Sequence, residues 1–171
     1  MSDIANAGTR RWMPFSLWML ISAAIVGLDQ LTKIAILKWV PLYDKIPLAS
    51  FINITHQRNT GAAFSFLADA GGWQRWFFSA LAGIVSAVIV VWLYQLRRQR
   101  QMVLAYGLVL ILGGAVGNVI DRIRLGYVID FFQVLIAGWP FPSFNVADAA
   151  ITVGAGLIIF DSLFLSDKKP V

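Results

Sequence analysis

The chain has 171 residues, of which 58% are hydrophobic and 13% charged, and its formal net charge is +5. A soluble domain is usually about half apolar and about a quarter charged, so this composition indicates a chain that lies mostly in lipid. The absence of Cys excludes disulfides and thiolate nucleophiles, the single His excludes a multi-His zinc site, and the absence of Glu leaves carboxylate chemistry to Asp.

Four apolar segments are each long enough to cross a bilayer as a helix, which requires about 20 residues. They cover residues 14–37, 76–96, 101–120 and 145–165. The second and third contain no charged residue, whereas the fourth carries Asp148 near its start and Asp161 near its end. The pattern predicts a membrane all-α fold in which residues 1–171 form a single integral membrane domain.

The basic residues orient the four spans, because cytoplasmic loops are enriched in Lys and Arg. They precede the first span, fill the short link between the second and third, and follow the fourth: Arg10, Arg11, Arg97, Arg98, Arg100, Lys168 and Lys169. Both termini are therefore expected to be cytoplasmic. No basic face carries interleaved aromatic residues, so nucleic acid is not an expected partner.

The two segments on the opposite side of the membrane, about 38–72 and 121–144, are expected to carry β structure. Residues 46–57 and 126–134 are rich in β-branched and aromatic residues, and each is predicted to form a short strand. Strands at a membrane surface can pair into a small sheet, and such a sheet would form an extracytoplasmic cradle for an extended peptide.

Two ionisable residues in the outer part of the first span stand four residues apart. Asp29 precedes Lys33, a spacing and order that favour an ion pair on one helix face. Ionisable groups at membrane depth are costly and usually have a purpose. The pair is interpreted first as structural, and alternatively as a group that helps to shape a site.

The end of the third span carries a second polar group, in the sequence GNVIDR at residues 117–122. Gly113 and Gly117 form a GxxxG pair that permits close helix contact. Asn118 and Asp121 lie three residues apart and share a helix face. Arg122 could hold a carboxylate through a forked hydrogen bond, so structural support is the favoured role here.

Two further aspartates lie in apolar surroundings on the same predicted side of the membrane. Asp130 interrupts a strand-like apolar run, and Asp148 lies at the outer end of the fourth span. Two close carboxylates cannot both ionise easily, so they can share a proton and act as general base and general acid. From spacing alone, two unrelated capping or ion-paired aspartates are the favoured reading.

Five short motifs occur in an order that resembles bacterial lipoprotein signal peptidase, or signal peptidase II, a family of aspartic membrane endopeptidases. They are DQLTK at 29–33, NTGAAF at 59–64, GNVIDR at 117–122, VIDF at 128–131 and FNVAD at 144–148. The resemblance covers nearly the whole chain. Each motif is weak alone, but five in order are highly specific.

The resemblance implies a four-helix protease of the bacterial inner membrane with its active site near the extracytoplasmic face. The family removes signal peptides from diacylglyceryl-modified prolipoproteins, cutting just before the lipidated Cys. By motif, Asp130 and Asp148 match the catalytic pair. The remaining motif residues match substrate-binding or supporting positions: Asp29, Lys33, Asn59, Gly61, Asn118, Asp121, Arg122 and Asn145.

This reading requires no metal and no organic cofactor, because two carboxylates and a water molecule suffice for the reaction. The expected partners are lipid-modified prolipoproteins and membrane lipids, and the expected state is a monomer.

Two other functions are compatible with part of this pattern. A small ion or proton transporter would also place Asp and Lys in the membrane, but transporters usually show internal repeats and midplane sites. Here the acidic residues gather at one face. A noncatalytic scaffold would share the fold and the outer cradle and lack only the chemistry.

Overall fold

A computed structural model describes residues 13–61, 71–97 and 101–165 of the protein. Within these residues the chain forms four long helices and four short strands. The helices are α1 (Phe15–Trp39), α2 (Gln74–Leu96), α3 (Met102–Leu125) and α4 (Val146–Phe164), and the strands are β1 (Lys45–Ala49), β2 (Ile52–Asn59), β3 (Val128–Ile136) and β4 (Trp139–Pro140).

The four predicted spans are confirmed, since each helix is long and apolar enough to cross a membrane. The largest difference lies at the end of α3, which was expected to stop at residue 120 and continues to Leu125. The helix continues because Asp121 finds partners inside the bundle instead of needing a solvated loop. The basic residues in 1–12, 98–100 and 166–171 lie outside the described residues.

Helix α3 is the central helix of the bundle. In its most apolar window 61% of the residues are buried, compared with 22% in α1 and 17% in both α2 and α4. It contacts all three other helices. A buried apolar cluster at one end of the bundle joins α1, α2 and α3, and includes Trp18, Leu93, Leu108 and Val109.

Small residues let neighbouring helices approach α3 closely. A Cβ atom at Gly113 would lie 2.8 Å from the Ile25 side chain of α1, and one at Gly117 would lie 2.6 Å from Asp29 Oδ2. A Cβ at Gly114 would collide with the Ala147 carbonyl of α4. The expectation that these glycines permit close helix contact is confirmed.

The strands form one antiparallel sheet in the order β1-β2-β3-β4. Residues 46–57, predicted as one strand, instead form the hairpin of β1 and β2, in which Lys45 pairs with Thr55. A single strand of that length would extend about 40 Å and leave its backbone groups unpaired, whereas the hairpin pairs the two halves. The strand predicted at 126–134 is confirmed as β3, and β4 was not predicted.

The sheet is joined to the end of the bundle at which α1 and α3 end and α4 begins, hereafter the site end. Apolar side chains from the end of α1 and from β3 pack together there, including Ile36, Val40 and Ile129. Gly126, with a φ of 88°, ends α3 in a left-handed conformation that suits glycine. The chain then enters β3 two residues later, which places the strand directly over the helix ends.

Candidate functional site

Three ionisable side chains form a buried charge cluster at the site end: Asp29, Lys33 and Asp121. Lys33 Nζ lies 2.9 Å from Asp29 Oδ2 and 2.9 Å from Asp121 Oδ2. All three residues are almost fully buried. The predicted ion pair between Asp29 and Lys33 is therefore present, and it includes a second carboxylate contributed by α3.

The charge cluster also binds backbone groups of other elements. Asp29 Oδ1 accepts a hydrogen bond of 2.9 Å from the N–H of Ala147, in the first turn of α4. Asp121 Oδ2 accepts one of 3.2 Å from the N–H of Ile129 in β3. A negative charge at a helix N-terminus is favourable, because unpaired N–H groups and the helix dipole point toward it. The cluster thus connects α1, α3, α4 and β3.

Asp130 and Asp148 form a second group, hereafter the carboxylate pair, and Asn145 contacts both members. Asn145 Nδ2 donates to Asp130 Oδ1 at 2.7 Å, and its backbone N–H donates to Asp148 Oδ2 at 3.3 Å. The structure therefore brings together the strand aspartate and the helix aspartate, which lie 18 positions apart in the sequence.

Each member of the carboxylate pair receives a further amide donor. Asn59 Nδ2 donates to Asp130 Oδ2 at 3.0 Å, and Asn118 Nδ2 donates to Asp148 Oδ1 at 2.8 Å. Lys33 Nζ in turn donates to Asn118 Oδ1 at 3.1 Å, which fixes the orientation of that amide. The charge cluster thus contacts the carboxylate pair through an intervening asparagine.

The protonation of Asp130 differs from that of an ordinary carboxyl group. Burial and the nearby charge of Asp148 together raise the pKa of Asp130 to about 7, although hydrogen bonds from Asn59 and Asn145 and the charge of Lys33 act to lower it. A group with this pKa can hold or release a proton near neutral pH, as general acid–base chemistry requires.

Asp148 also has a structural role, as the third residue of a capping box that starts α4. Its backbone N–H donates to Asn145 Oδ1 at 2.8 Å, while its carboxylate accepts from the Asn145 backbone. The capping role considered for Asp148 from the sequence is therefore present in the structure. It does not describe the whole site, since the same asparagine also contacts Asp130.

The forked hydrogen bond that the sequence suggested between Arg122 and a carboxylate is not present among the described residues. Arg122 Nη2 donates to the Gly61 carbonyl at 3.0 Å, and within the described residues no carboxylate lies within ion-pair distance of its guanidinium. Lys33 already pairs with the adjacent Asp121. Gly61 N–H donates to Asn59 Oδ1 at 3.0 Å, so Arg122 and Asn59 hold the start of the loop. Residues 62–64 lie outside the described residues.

The family model for signal peptidase (SPase) II matches residues 21–164. The chain belongs to the signal peptidase II family. This is an aspartic peptidase family that cleaves the signal peptides of lipoproteins, and the resemblance in the five motifs is thereby confirmed.

Similar proteins and solved structures agree with this membership. The lipoprotein signal peptidase of Acinetobacter baumannii is 46% identical over 97% of this chain and 94% of its own length, and that of Cupriavidus necator is 50% identical over 86% and 83%. A solved bacterial membrane enzyme superposes with a TM-score of 0.78 at 34% identity, covering 91% of this chain and 93% of its own. A second gives 0.73 at 32% identity, over 88% and 95%.

One residue of the signal peptidase II site that sequence reasoning did not single out is Gln30. Its Nε2 donates to Asp121 Oδ1 at 3.0 Å, to Asp29 Oδ2 at 3.2 Å and to the Gly117 carbonyl at 3.2 Å. The position of Gln30 inside the first motif could have identified it. However, its place beside Asp29 in the sequence does not show which neighbouring helix its side chain contacts.

A cleft of about 350 Å³ opens beside Asp130 on the sheet. Its walls are mostly polar, and the lining residues come from β1, β2, β3 and the connection to α4: Lys45, Gln57, Arg58, Asn59, Asp130, Gln133, Pro142 and Ser143. Within the described part of this signal peptidase II chain, no group of three or more His and Asp side chains is arranged to hold a metal ion.

Proposed function

We propose that this protein cuts diacylglyceryl-modified prolipoproteins just before the lipidated Cys, with Asp130 and Asp148 as its catalytic residues. The observation that carries the proposal is the hydrogen bonding of both carboxylates to Asn145. Neutral amides hold the two groups near each other without a cation in direct ion-pair contact among the described residues. Such a pair favours a shared proton over two full negative charges.

The shared proton lets the pair act on a water molecule and a peptide bond together. The ionised carboxylate removes a proton from a water molecule, and the water oxygen attacks the scissile carbonyl carbon. The protonated carboxyl group donates its proton to the carbonyl oxygen, which gives a tetrahedral diol. Collapse of the diol breaks the C–N bond, and the amine of the Cys leaves with a proton from the pair.

The other site residues support this reaction by position. Asn59, Asn118 and Asn145 orient the carboxylate pair through their amide groups. Asp29, Lys33 and Asp121 hold the helix ends and β3 in place around it. Arg122 and Gly61 anchor the start of the loop that follows β2.

The substrate and its location fit a site at the ends of membrane helices. Burial of an acyl chain contributes about 0.8 kcal/mol per CH₂, so a diacylated Cys stays at the membrane surface.

We place the protein in the bacterial inner membrane as a monomer surrounded by lipid, with both termini cytoplasmic and the site end near the extracytoplasmic face. Reporter fusions after residues 60, 99 and 171 should then read outside, inside and inside, and a cytoplasmic signal at residue 60 would overturn this orientation.

The decisive experiment replaces each carboxylate with its amide. An Asp130→Asn or Asp148→Asn protein keeps the side-chain size but cannot exchange the shared proton, so each should lose about 100- to 10,000-fold in cleavage rate. The double variant should be hardly slower than either single one, because residues that act as a unit are not additive. Cleavage is measured on purified protein with a diacylated prolipoprotein.

The matched control is Asp161→Asn, near the other end of α4, which should cleave at the parental rate. The unlipidated form of the same prolipoprotein should be cleaved much more slowly by the parent. A folded Asp130→Asn or Asp148→Asn protein with parental activity would refute the catalytic pair, and equal rates on the two substrate forms would refute recognition of the lipid.

A further inference from the structure

The cleft beside Asp130 has a charge pattern that the cleavage reaction itself does not require. Apart from Asp130, its charged residues are both basic: Lys45 in β1 and Arg58 in β2. Both side chains are exposed. Within the described residues neither has a carboxylate within ion-pair distance.

The position of the cleft suits one side of a prolipoprotein better than the other. A signal peptide is apolar and its diacylglyceryl group remains in the membrane, whereas the chain that follows the lipidated Cys enters the aqueous phase. Polar side chains from three strands surround the cleft, and Asp130 is one of its walls. The cleft therefore matches the chain that follows the scissile bond.

The register of the sheet sets the distance between the reacting bond and the two basic residues. Asp130 in β3 pairs with Gln57 in β2, next to Arg58, and Lys45 in β1 pairs with Thr55 of β2. Strands in a sheet lie about 4.8 Å apart and rise about 3.3 Å per residue, so Lys45 stands about 12 Å away, two strand spacings across and two residues along. An extended peptide covers that distance in about four residues.

We propose that Lys45 and Arg58 form a subsite that favours acidic side chains within about four residues after the lipidated Cys. This inference rests on the proposed function, since it assigns a substrate preference to the same site. The guanidinium carbon of Arg58 lies 4.7 Å from the centre of the Tyr127 ring, and this cation–π contact restrains the side chain. A carboxylate of the substrate supplies the opposite charge.

The test uses three diacylated prolipopeptides that are identical except at the second to fourth residues after the position of cleavage, which are Asp, Asn or Lys. The parental protein should cut them in the order Asp, Asn, Lys. Each exposed ion pair should contribute about a two- to fivefold difference in kcat/KM. The difference should appear mainly in KM, since the contact is the same before and during reaction. Raising the salt concentration should reduce it.

Variants assign the preference to the two residues. Lys45→Gln and Arg58→Gln should each lower the ratio of kcat/KM for the Asp and Lys peptides, and the double variant should bring it close to 1. The matched control is Lys38→Gln, which removes a charge at the end of α1, outside the cleft, where Lys38 lies over the Trp39 ring. Its ratio should equal the parental one.

The outcomes separate this inference from the proposed function. If the parental protein cuts all three peptides at equal rates, the acidic subsite is refuted while the protease remains. If it cuts none of them, the proposed function itself fails. A parental preference that persists in the double variant would assign the preference to residues other than Lys45 and Arg58. A preference that disappears equally in Lys38→Gln would assign it to overall surface charge, and either result refutes the subsite.

Discussion

The charge cluster and the carboxylate pair each contain two aspartates, yet their surroundings differ in one respect. The cluster has a cation between its carboxylates, with Lys33 Nζ 2.9 Å from both Asp29 and Asp121. Among the described residues, the pair has neutral amide and backbone donors, and no cation, in hydrogen-bond contact. Burial, together with the nearby charge of Asp148, raises the pKa of Asp130 to about 7.

The difference shows how one residue type serves two purposes within one site. A buried carboxylate beside a lysine is suited to permanent charge and therefore to holding elements together. A buried carboxylate beside another carboxylate, with amides around it, is suited to gaining and losing a proton. Asn118 separates the two groups, with its carbonyl toward Lys33 and its amide nitrogen toward Asp148.

Removing the cation from the charge cluster should have the largest effect on stability. Lys33→Met leaves Asp29 and Asp121 buried without a partner of opposite charge, which typically costs about 3 to 5 kcal/mol. Thermal unfolding in detergent should show the loss. Adding Asp29→Asn to Lys33→Met should recover part of it, and a Lys33→Met protein as stable as the parent would contradict the structural role of the cluster.

Removing the amide that joins the carboxylate pair should mainly affect activity. Asn145→Ser keeps a side chain that can cap α4 but loses the bond to Asp130, and hydrogen bonds to charged groups contribute about 1.5 to 3 kcal/mol, or about 10- to 100-fold in rate. Asn145→Ala should be slower to the same degree and less stable than the Ser variant by about 1 kcal/mol. An active Ser variant would show that Asn145 serves only as a cap.

The pH dependence should report the shared proton of the carboxylate pair. Because the pKa of Asp130 lies above its ordinary value of 3.8, the folded protein holds a proton that the unfolded chain loses, so this group's contribution to stability declines as pH rises from about 4 to about 7. Above pH 7 the proton leaves the folded protein as well, and kcat/KM should fall by about tenfold per pH unit.

The matched variant for the pH profile is Asn59→Ala. The hydrogen bond from Asn59 lowers the pKa of Asp130, so its removal should shift the falling limb to higher pH. A limb that stays in place or moves to lower pH would mean that another group controls the profile.

The smallest effect on activity is expected for an amide that contacts the charge cluster and not the carboxylate pair. Gln30→Met removes the donor shared by Asp29, Asp121 and the Gly117 carbonyl, and hydrogen bonds to charged groups contribute about 1.5 to 3 kcal/mol to stability. Unfolding should report that loss while the cleavage rate changes by less than about threefold. A loss of activity as large as that of Asn145→Ser would remove the distinction between the two groups.

The helices were predictable because hydropathy over about 20 residues measures the property that selects a membrane span. The central position of α3 was only partly predictable: Gly113 and Gly117 indicated close packing but did not identify α1 as the neighbour. The β1–β2 hairpin was missed because its turn, at Ser50 and Phe51, lacks the Gly or Asn residues that usually mark one. Strand β4 has two residues and ends in Pro140, which is too short to give a pattern.

The site was less predictable from spacing than the fold. The ion pair of Asp29 and Lys33 follows from helix geometry, whereas the proximity of Asp130 and Asp148 depends on how β3 lies over the start of α4. The expectation that these two aspartates lie close together came from the family resemblance and not from their spacing in the sequence. The supporting role favoured for Arg122 fits its bond to the Gly61 carbonyl, but the carboxylate partner suggested for it was wrong. Several carboxylates were within reach in the sequence, and only the packing of α1 determines that Lys33 pairs with Asp121.

The capping box that begins α4 has a consequence for the biogenesis of the enzyme. Asp148 takes its place only when Asn145 starts the helix, and Asn145 reaches Asp130 only when β3 has joined the sheet. A newly made chain that has not finished inserting therefore lacks the proposed catalytic arrangement. If Asp130 and Asp148 act as proposed, hydrolysis begins only after the hydrogen bonds that complete this part of the fold have formed.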